Sequence, residues 1–294
     1  MTHHQIAIIG GGPAGIACAV QLYHAGLRPL LIEKDKLGGL LRSANWVENY
    51  PGFPDGIKGS DLAQLFAQQI LHFEPELIYG EVTKIDWDGQ QFNMDMSDRT
   101  MTAETLIIAT GTMPKPLPAF CHKPELEGRI YSEIIPLIRE KDQTIAIIGG
   151  GDAAFDYALS LTQANDVVIF SRSPQPKCLE VLRQRVDAHN TIRYYQNVRI
   201  NGVALQSDTR IKIDYSEHRS KREMVADYIL LAIGREPNVD LLSPDLIEKS
   251  KPLLENEKLI LIGDVINEYK RQTAIAVGQG VMAAMQIMET IRKT

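Results

Sequence analysis

Apolar residues fall along this chain in short runs, each closed by a glycine-rich or polar break, and that rhythm predicts its elements. Residues 5–9 (QIAII) form the first run and end in Gly10-Gly11-Gly12-Pro13-Ala14-Gly15. A helical pattern follows from Ile16 to Ala25, then Gly26, then a second apolar run, Pro29–Ile32, closing at Glu33. The predicted order is strand, glycine turn, helix, strand. The same frame returns later. Thr144-Ile145-Ala146-Ile147-Ile148 leads through Gly149-Gly150-Gly151-Asp152-Ala153-Ala154 into a helix from Phe155 to Gln163 and a strand Val167–Phe170.

Between the frames the period changes. Residues 76–108 alternate polar and apolar, with turn signals at Asp88-Gly89 and Ser97-Asp98, and read as a β-meander closing on Thr105-Leu106-Ile107-Ile108-Ala109-Thr110-Gly111. Residues 191–234 repeat that plan in short strands, with a polar turn near His218–Arg222 and a close on Tyr228-Ile229-Leu230-Leu231-Ala232-Ile233-Gly234. Pro114, Pro116 and Pro118 mark a crossing after the first copy, and Arg235-Glu236-Pro237-Asn238 a return after the second. The tail holds one more strand, Leu259–Ile262, ending in Gly263-Asp264, and a helix from Gln272 to Ile291. Two self-sufficient copies would leave this pair surplus; it belongs with the first copy, the second being inserted. The expected fold is α/β, with two nucleotide-binding Rossmann-like (three-layer ββα) domains: 1–113 plus 236–294, and 114–235 inserted between.

The glycines carry the first chemistry. Gly10 permits the tight turn, Gly12 lets backbone approach a pyrophosphate, and Gly15 lets the helix pack on its strand. Phosphate is expected at the helix N-terminus, where free N–H groups and the dipole favour an anion. Glu33, 18 residues past Gly15, suits the acid that bonds a ribose hydroxyl pair. In the second frame Ala154 takes the third glycine's place. Its landing strand ends in Phe170-Ser171-Arg172-Ser173 with no acid, which argues against a site optimised for NADH.

Composition narrows the classes. With 294 residues, 44% of them apolar, the chain has ample core, and a net charge of −6 speaks against nucleic acid and against a basic membrane patch. No unbroken apolar run approaches the roughly 18 residues of a membrane span. The start, MTHHQ, runs into a strand without a charged leader segment, and a soluble cytoplasmic protein is expected. Cys18, Cys121 and Cys178 are far apart, giving neither a disulfide framework nor a Cys-x-x-Cys. The seven histidines lack metal spacing, and His3-His4 reads as a solvated terminus. No catalytic acid–base pair, nucleophile or metal ligand is expected.

At this point the residues resemble the low-molecular-weight thioredoxin reductase-like flavoproteins, which include two-domain ferredoxin–NADP reductases of that fold. The resemblance runs nearly end to end, on Gly10–Gly15 with Glu33, Gly38-Gly39, Glu48-Asn49-Tyr50-Pro51-Gly52, Ala109-Thr110-Gly111, Gly149–Ala154, Gly263-Asp264 and Arg271-Gln272-Thr273-Ala274. It implies FAD on the discontinuous domain, at Gly10, Gly12, Pro13, Ala14, Gly15, Glu33, Lys34, Gly39, Leu40, Leu41, Asn49, Val82, Ala109, Thr110, Gly111, Gly263, Asp264, Gln272, Thr273 and Ala274. Within that set Glu33 would hold the adenosine ribose, Asp264 a ribityl hydroxyl, and Asn49 would approach the flavin ring, unless it serves only as a turn residue before Tyr50-Pro51. Gln272, Thr273 and Ala274 would bring a helix N-terminus to the flavin N1–C2=O edge, where reduction builds negative charge. The inserted domain would hold a nicotinamide nucleotide at Gly149, Gly151, Asp152, Ala153, Ala154, Ser171, Arg172, Lys177 and Gly234.

The chain departs from its relatives in four places. Where thioredoxin reductases carry a Cys-x-x-Cys, the segment reads Glu127-Gly128-Arg129-Ile130-Tyr131-Ser132-Glu133, so the usual disulfide relay to thioredoxin is absent. Leu40 and Leu41 replace a glutamine that reaches the flavin in many relatives, making that edge more apolar. The sequence given ends at Thr294, where ferredoxin-reductase relatives extend an aromatic cover, so that flavin face is expected to be open or covered by a second subunit, and a homodimer is expected. Finally, NADPH-dependent relatives show His-Arg-Arg with another Arg four residues on, against Ser171-Arg172-Ser173 and Lys177 here. Arg grips phosphate bidentately and Lys acts as a point charge, so NADPH over NADH is expected, with weakened binding; the pair could also be merely solvated. The expected function is an FAD-dependent NAD(P)H oxidoreductase serving an external acceptor: ferredoxin, flavodoxin, a small disulfide, a quinone or oxygen. Two alternatives stand beside it: a flavoprotein reduced by ferredoxin with a vestigial nicotinamide site, and a non-enzymatic flavin-binding regulatory module.

Overall fold

The structure, a computed structural model, describes residues 2–207, 209–218 and 220–293. The chain folds into two compact units, Met1–Arg42, Trp46–Met113 and Glu236–Thr294 in one, Ser43–Asn45 and Pro114–Arg235 in the other. The second unit thus includes three residues, 43–45, from outside the expected insertion.

The first unit is built on a seven-stranded sheet. Leu77–Tyr79, Leu30–Glu33, Thr2–Ile9 and Thr100–Ile108 lie side by side and parallel, and Leu259–Leu261 also pairs in parallel with Thr100–Ile108. The meander strands Phe92–Met96 and Val82–Trp87 continue the sheet antiparallel. Strand Thr2–Ile9 shows why three layers form. Ile6 and Ile8 enter one apolar cluster with helices Pro13–His24 and Thr273–Lys293, while Ala7 and Ile9 enter another with the meander and helix Pro244–Glu255. Alternate residues of a strand face opposite sides, so a strand covered on both is apolar throughout.

The second unit repeats this plan in a parallel sheet ordered Ile192–Tyr195, Asp166–Phe170, Thr144–Ile148, Tyr228–Leu231, Ile130–Tyr131. Ile145 and Ile147 face helices Asp152–Leu161 and Glu180–Asp187; Ala146 and Ile148 face the antiparallel strands Val198–Ser207, Arg210–Glu217 and Ser220–Ala226. Those three strands are longer than the short strands expected, and Arg219 in their polar turn lies outside the described residues.

Several expectations need correction. Both glycine-turn helices begin earlier than the apolar pattern suggests, at Pro13 and Asp152, because the third small residue of each turn is already helical. Proline suits the first helical position, where its missing N–H has no partner to lose. Three helices went unread: Gly59–Leu71, Glu180–Asp187 and Pro244–Glu255. The last had a signal, since the Ser243 hydroxyl caps it by accepting from Leu246 N at 3.1 Å, with Pro244 following. His3-His4 is not a solvated terminus. Strand Thr2–Ile9 pairs from Thr2↔Met101 onward, His3 reaches Thr102 and Glu104, and the His4 side chain is 11% exposed, 3.5 Å from Glu76.

The tail helix is the other correction. Thr273–Arg292 has a mean hydropathy of 1.3 and is long and apolar enough by composition to cross a membrane, which a search for unbroken apolar runs overlooks. Its inward face nonetheless builds the first unit: Ala276, Ala283, Ala284 and Ile287 are buried in the core. Gly280 sits so near helix Pro13–His24 that a Cβ there would strike the Ala14 carbonyl.

Candidate functional site

In the first unit the expected residues converge on the carboxyl ends of the parallel strands, where open α/β sheets hold ligands. Gly10 adopts φ +107°, a Cβ on it would strike the Ala109 carbonyl, and one on Gly15 would strike the Gly10 carbonyl. Gly12 has open space instead. Pro13, Ala14 and Gly15 form the first turn of the helix. Glu33, 8% exposed, is locked from two sides, accepting from Gly11 N at 2.6 Å and Asp35 N at 2.9 Å. Each carboxylate oxygen has a lone pair left for a hydroxyl. Gly80 N donates to the Glu33 carbonyl at 2.9 Å, which brings the buried Val82 to the same end. Lys34 faces solvent, 3.8 Å from Glu81.

The loop 38–43 folds against this turn. Gly38 N donates to the Gly11 carbonyl at 2.7 Å, and Gly39 approaches Gly12. Of the two leucines expected at an apolar flavin edge, Leu40 is exposed and Leu41 is buried. Ala109 N donates to the Ile9 carbonyl, and the Thr110 hydroxyl to the Asn238 carbonyl at 2.6 Å. Asn49 is more than a turn residue: its side-chain amide donates to Gln272 Oε1 at 2.6 Å, beside Thr273 and Ala274 at the start of the tail helix. A 380 Å³ open cavity lies along 48–54. Gly263 and Asp264 sit in a 3-10 turn held by Gln279, whose Oε1 accepts from Gly263 N at 2.8 Å and from Asn267 Nδ2 at 3.1 Å. Gln279 was not anticipated; a glutamine within a largely apolar helix was its signal.

The second unit repeats the backbone bonds that shape the first turn. Gly149 N donates to Phe170 O (2.9 Å) as Gly10 N does to Ile32 O (2.8 Å). Lys177 N donates to Gly150 O (2.9 Å) as Gly38 N does to Gly11 O, and Ala232 N to Ile148 O (2.9 Å) as Ala109 N does to Ile9 O (2.8 Å). A Cβ on Gly149 would strike the Ala232 carbonyl as one on Gly10 would strike that of Ala109. This correspondence places Ser171 where Glu33 stands. Ser171 is 2% exposed, and its hydroxyl lies where a Gly150 Cβ would point. A neutral hydroxyl therefore ends the strand where the first frame has a carboxylate. Arg172 and Lys177 are exposed, on a strap whose far end is tied by Leu179 N donating to Asp152 Oδ1 at 2.7 Å. Gly151 is open, Ala153 exposed and Ala154 buried, and Gly234 takes φ +110° past the last strand.

Three features of this unit were not read from the sequence. Arg235 donates to Glu133 Oε1 at 2.6 Å. Tyr157 is pushed up to about 12 by burial and by the Glu133 carboxylate. Asp156, half-buried on the turn helix, accepts from Asn45 N at 2.9 Å and is pushed up to about 6, chiefly by burial. The thiols are quiet: all three are free, burial pushes Cys18 up to about 12 and Cys121 up to about 11, and Cys178 is raised by burial and the Asp152 charge.

Two glycine turns of one design, each at the carboxyl edge of its own parallel sheet, one with an acid and one without, define an oxidoreductase of the two-dinucleotide class. The model of the pyridine nucleotide-disulphide oxidoreductase family matches residues 4–280. The thioredoxin reductase of Chlamydia trachomatis is 30% identical, covering 97% of each chain. The structure of Lactococcus lactis thioredoxin reductase superposes with a TM-score of 0.86 at 25% identity over 99% of each chain; that of the T. acidophilum enzyme, at 24% identity and a TM-score of 0.84, agrees in fold. The chain belongs to the pyridine nucleotide-disulphide oxidoreductase family, as a thioredoxin reductase-like flavoprotein. FAD and NADPH are the cofactors of that group.

Proposed function

We propose that this chain is an FAD-dependent oxidoreductase that takes a hydride from NADPH in preference to NADH and passes electrons to an external acceptor with no internal redox disulfide. The observation that carries the choice of donor is Ser171 in the place of Glu33. A carboxylate there would accept from a ribose 2′-OH and repel a 2′-phosphate; a buried serine carries no charge to repel that phosphate, and its hydroxyl already accepts from Ser173 N at 3.2 Å. Arg172 and Lys177 stand exposed on the adjoining strap to receive that phosphate. Glu33, with two backbone amides fixing it, supports the adenosine ribose of FAD in the first unit. The Asn49–Gln272 bond supports a fixed helix start at the flavin edge, and a helix N-terminus favours the negative charge that reduction brings.

Bound flavin supplies the hydride-accepting chemistry; the protein binds, orients and shields. The acceptor takes electrons directly because the sequence has no Cys-x-x-Cys and its thiols favour the protonated form. Ferredoxin, flavodoxin, a quinone, a small disulfide and oxygen all fit that requirement, whereas thioredoxin through an enzyme dithiol does not.

Anaerobic titration tests the proposal. NADPH is expected to bleach the flavin stoichiometrically, and NADH only at higher concentration. A colourless protein that takes up no FAD would sink it, as would a flavin bleached by reduced ferredoxin but not by NADPH. Arg172→Ala is expected to raise the KM for NADPH about tenfold to a hundredfold, the worth of one charged phosphate hydrogen bond, and to leave NADH nearly unchanged. Initial rates with an artificial acceptor measure both. Equal losses for the two nucleotides would remove Arg172 from the 2′-phosphate site.

A further inference from the structure

The correspondence between the units extends through the crossings and singles out a lysine. The first crossing reads Gly111-Thr112-Met113-Pro114-Lys115 and the second Gly234-Arg235-Glu236-Pro237-Asn238, glycine and proline in register. Each glycine carbonyl accepts from the residue that ends the other crossing. Asn238 N donates to Gly111 O at 3.1 Å in the first unit, and Lys115 N to Gly234 O at 3.1 Å in the second. The Lys115 backbone, directly after the short strand Thr112–Pro114, is thereby fixed beside Gly234.

Its side chain also lies against Gly234. A Cβ built on that glycine would sit 3.5 Å from Lys115 Cε, 3.6 Å from Cδ and 3.9 Å from Nζ. Gly234 follows strand Tyr228–Leu231, the parallel neighbour of Thr144–Ile148, whose end is the second glycine turn. On the other side of Thr144–Ile148 lies Asp166–Phe170, leading to Ser171, Arg172 and Lys177. A dinucleotide with its pyrophosphate on this turn sends its adenosine half toward Ser171 and its nicotinamide half toward Gly234.

The charge balance beside Gly234 favours Lys115 as a cation for a ligand. Arg235 is matched by Glu133 at 2.6 Å. Asp152, at the N-terminus of the turn helix, adds negative charge beside the place of an anionic pyrophosphate. Lys115 is exposed and, among the described residues, pairs with no carboxylate. Resting on the dinucleotide reading of this unit, we propose that the Lys115 ammonium binds the pyrophosphate on its nicotinamide side, a group that NADPH and NADH share. Arg172 and Lys177 read the 2′-phosphate; Lys115 holds what is common. Its contribution sits on a crossing strand, outside the glycine turn.

The test compares Lys115→Gln with Arg172→Ala in the flavin-loaded protein. Lys115→Gln is expected to weaken NADPH and NADH alike, about tenfold each in KM, leaving their ratio within about twofold of the parent. Lys115→Arg retains most of the affinity. Calorimetric binding of NADP⁺ and NAD⁺ reads the same loss without turnover, so it stays informative if the parent protein is not reduced by either nucleotide, the result that would defeat the proposed function. Unchanged affinity for both nucleotides in Lys115→Gln would overturn the assignment. So would a loss confined to NADPH and NADP⁺, which would move the ammonium to the 2′-phosphate.

Discussion

Glu33→Ala is expected to purify largely without flavin, with an affinity for added FAD lower by about a hundredfold. The carboxylate is buried and holds two backbone amides, those of Gly11 and Asp35, at 2.6 and 2.9 Å. Truncation leaves both N–H groups without their acceptor, and a buried unsatisfied donor costs about 1–3 kcal/mol. The proposed binding mode adds the loss of a charged hydrogen bond to the ribose, worth about 1.5–3 kcal/mol. The two losses act together, because the amide of Gly11 belongs to the glycine turn on which the proposed binding mode places the pyrophosphate. Glu33→Gln keeps one acceptor oxygen and should fall between parent and Ala. Flavin-to-protein absorbance and fluorescence titration of the apoprotein measure the effect. A Glu33→Ala protein with full flavin content and a Kd within about threefold of the parent would remove Glu33 from the FAD site.

The same two turns show what a sequence can disclose. Gly10 and Gly149 were legible because each opens a glycine-rich turn of fixed spacing directly after an apolar run; the structure adds that the carbonyl of Ala109 or Ala232 lies so near that no Cβ fits. The strands were legible because burial on both faces leaves an unbroken apolar run, as at Ile145–Ile148. Helices with one buried stripe were harder. Gly59–Leu71 buries Leu62, Ala63 and Ile70 and leaves Leu65 and Leu71 exposed, so its pattern blurs. Contacts set by tertiary structure were not legible at all. Glu133 with Arg235, Asp156 with Asn45, Gln279 with Gly263 and Lys115 with Gly234 join residues that no spacing rule connects. Lys115 did leave a trace, the repeated Gly-x-x-Pro of the crossings, which gains meaning only once each glycine carbonyl is seen to take an amide from the opposite crossing.

That trace also says how the two units differ. Backbone contacts that shape a dinucleotide turn are matched in both, whereas the side chains that choose a ligand are not. Ser171 stands for Glu33, Lys177 for Gly38, and Lys115 for Asn238 across the correspondence. In each pair the second unit has lost a carboxylate or gained an ammonium. The changes run in one direction, toward more positive potential at the second turn, and an additional phosphate is the ligand group that rewards it. Asp152 is the exception, and its carboxylate is partly committed to Leu179 N, which ties down the strap carrying Lys177.

Asp156→Asn is expected to stabilise the protein at neutral and alkaline pH and to lose that advantage in acid. Burial raises the Asp156 carboxyl from 3.8 to about 6, and the Asp152 charge adds to this against the Asn45 amide and Arg185. The native state therefore binds this proton more tightly than the unfolded chain does. Below both values the group is neutral in both states and contributes nothing. Stability then falls as pH rises from 3.8 to about 6, and above that the cost is constant. At about 1.36 kcal/mol per pKa unit, the cost is on the order of 3 kcal/mol. Asparagine removes the charge and keeps an oxygen to accept from Asn45 N, so the 2.9 Å bond survives the substitution. The variant should gain about 1–3 kcal/mol at pH 8, several degrees in melting temperature, with the gain shrinking steadily toward pH 5. Thermal midpoints of the flavin-loaded protein between pH 5 and 8 give the answer. A difference independent of pH would refute the buried-carboxylate account, and a variant less stable at pH 8 would show that the charge itself holds the Asn45 amide. Natural chains keep such a cost where a charge is used, and Asp156 lies on the helix that starts at the second turn, one residue from Tyr157, whose hydroxyl feels Glu133 and Arg235.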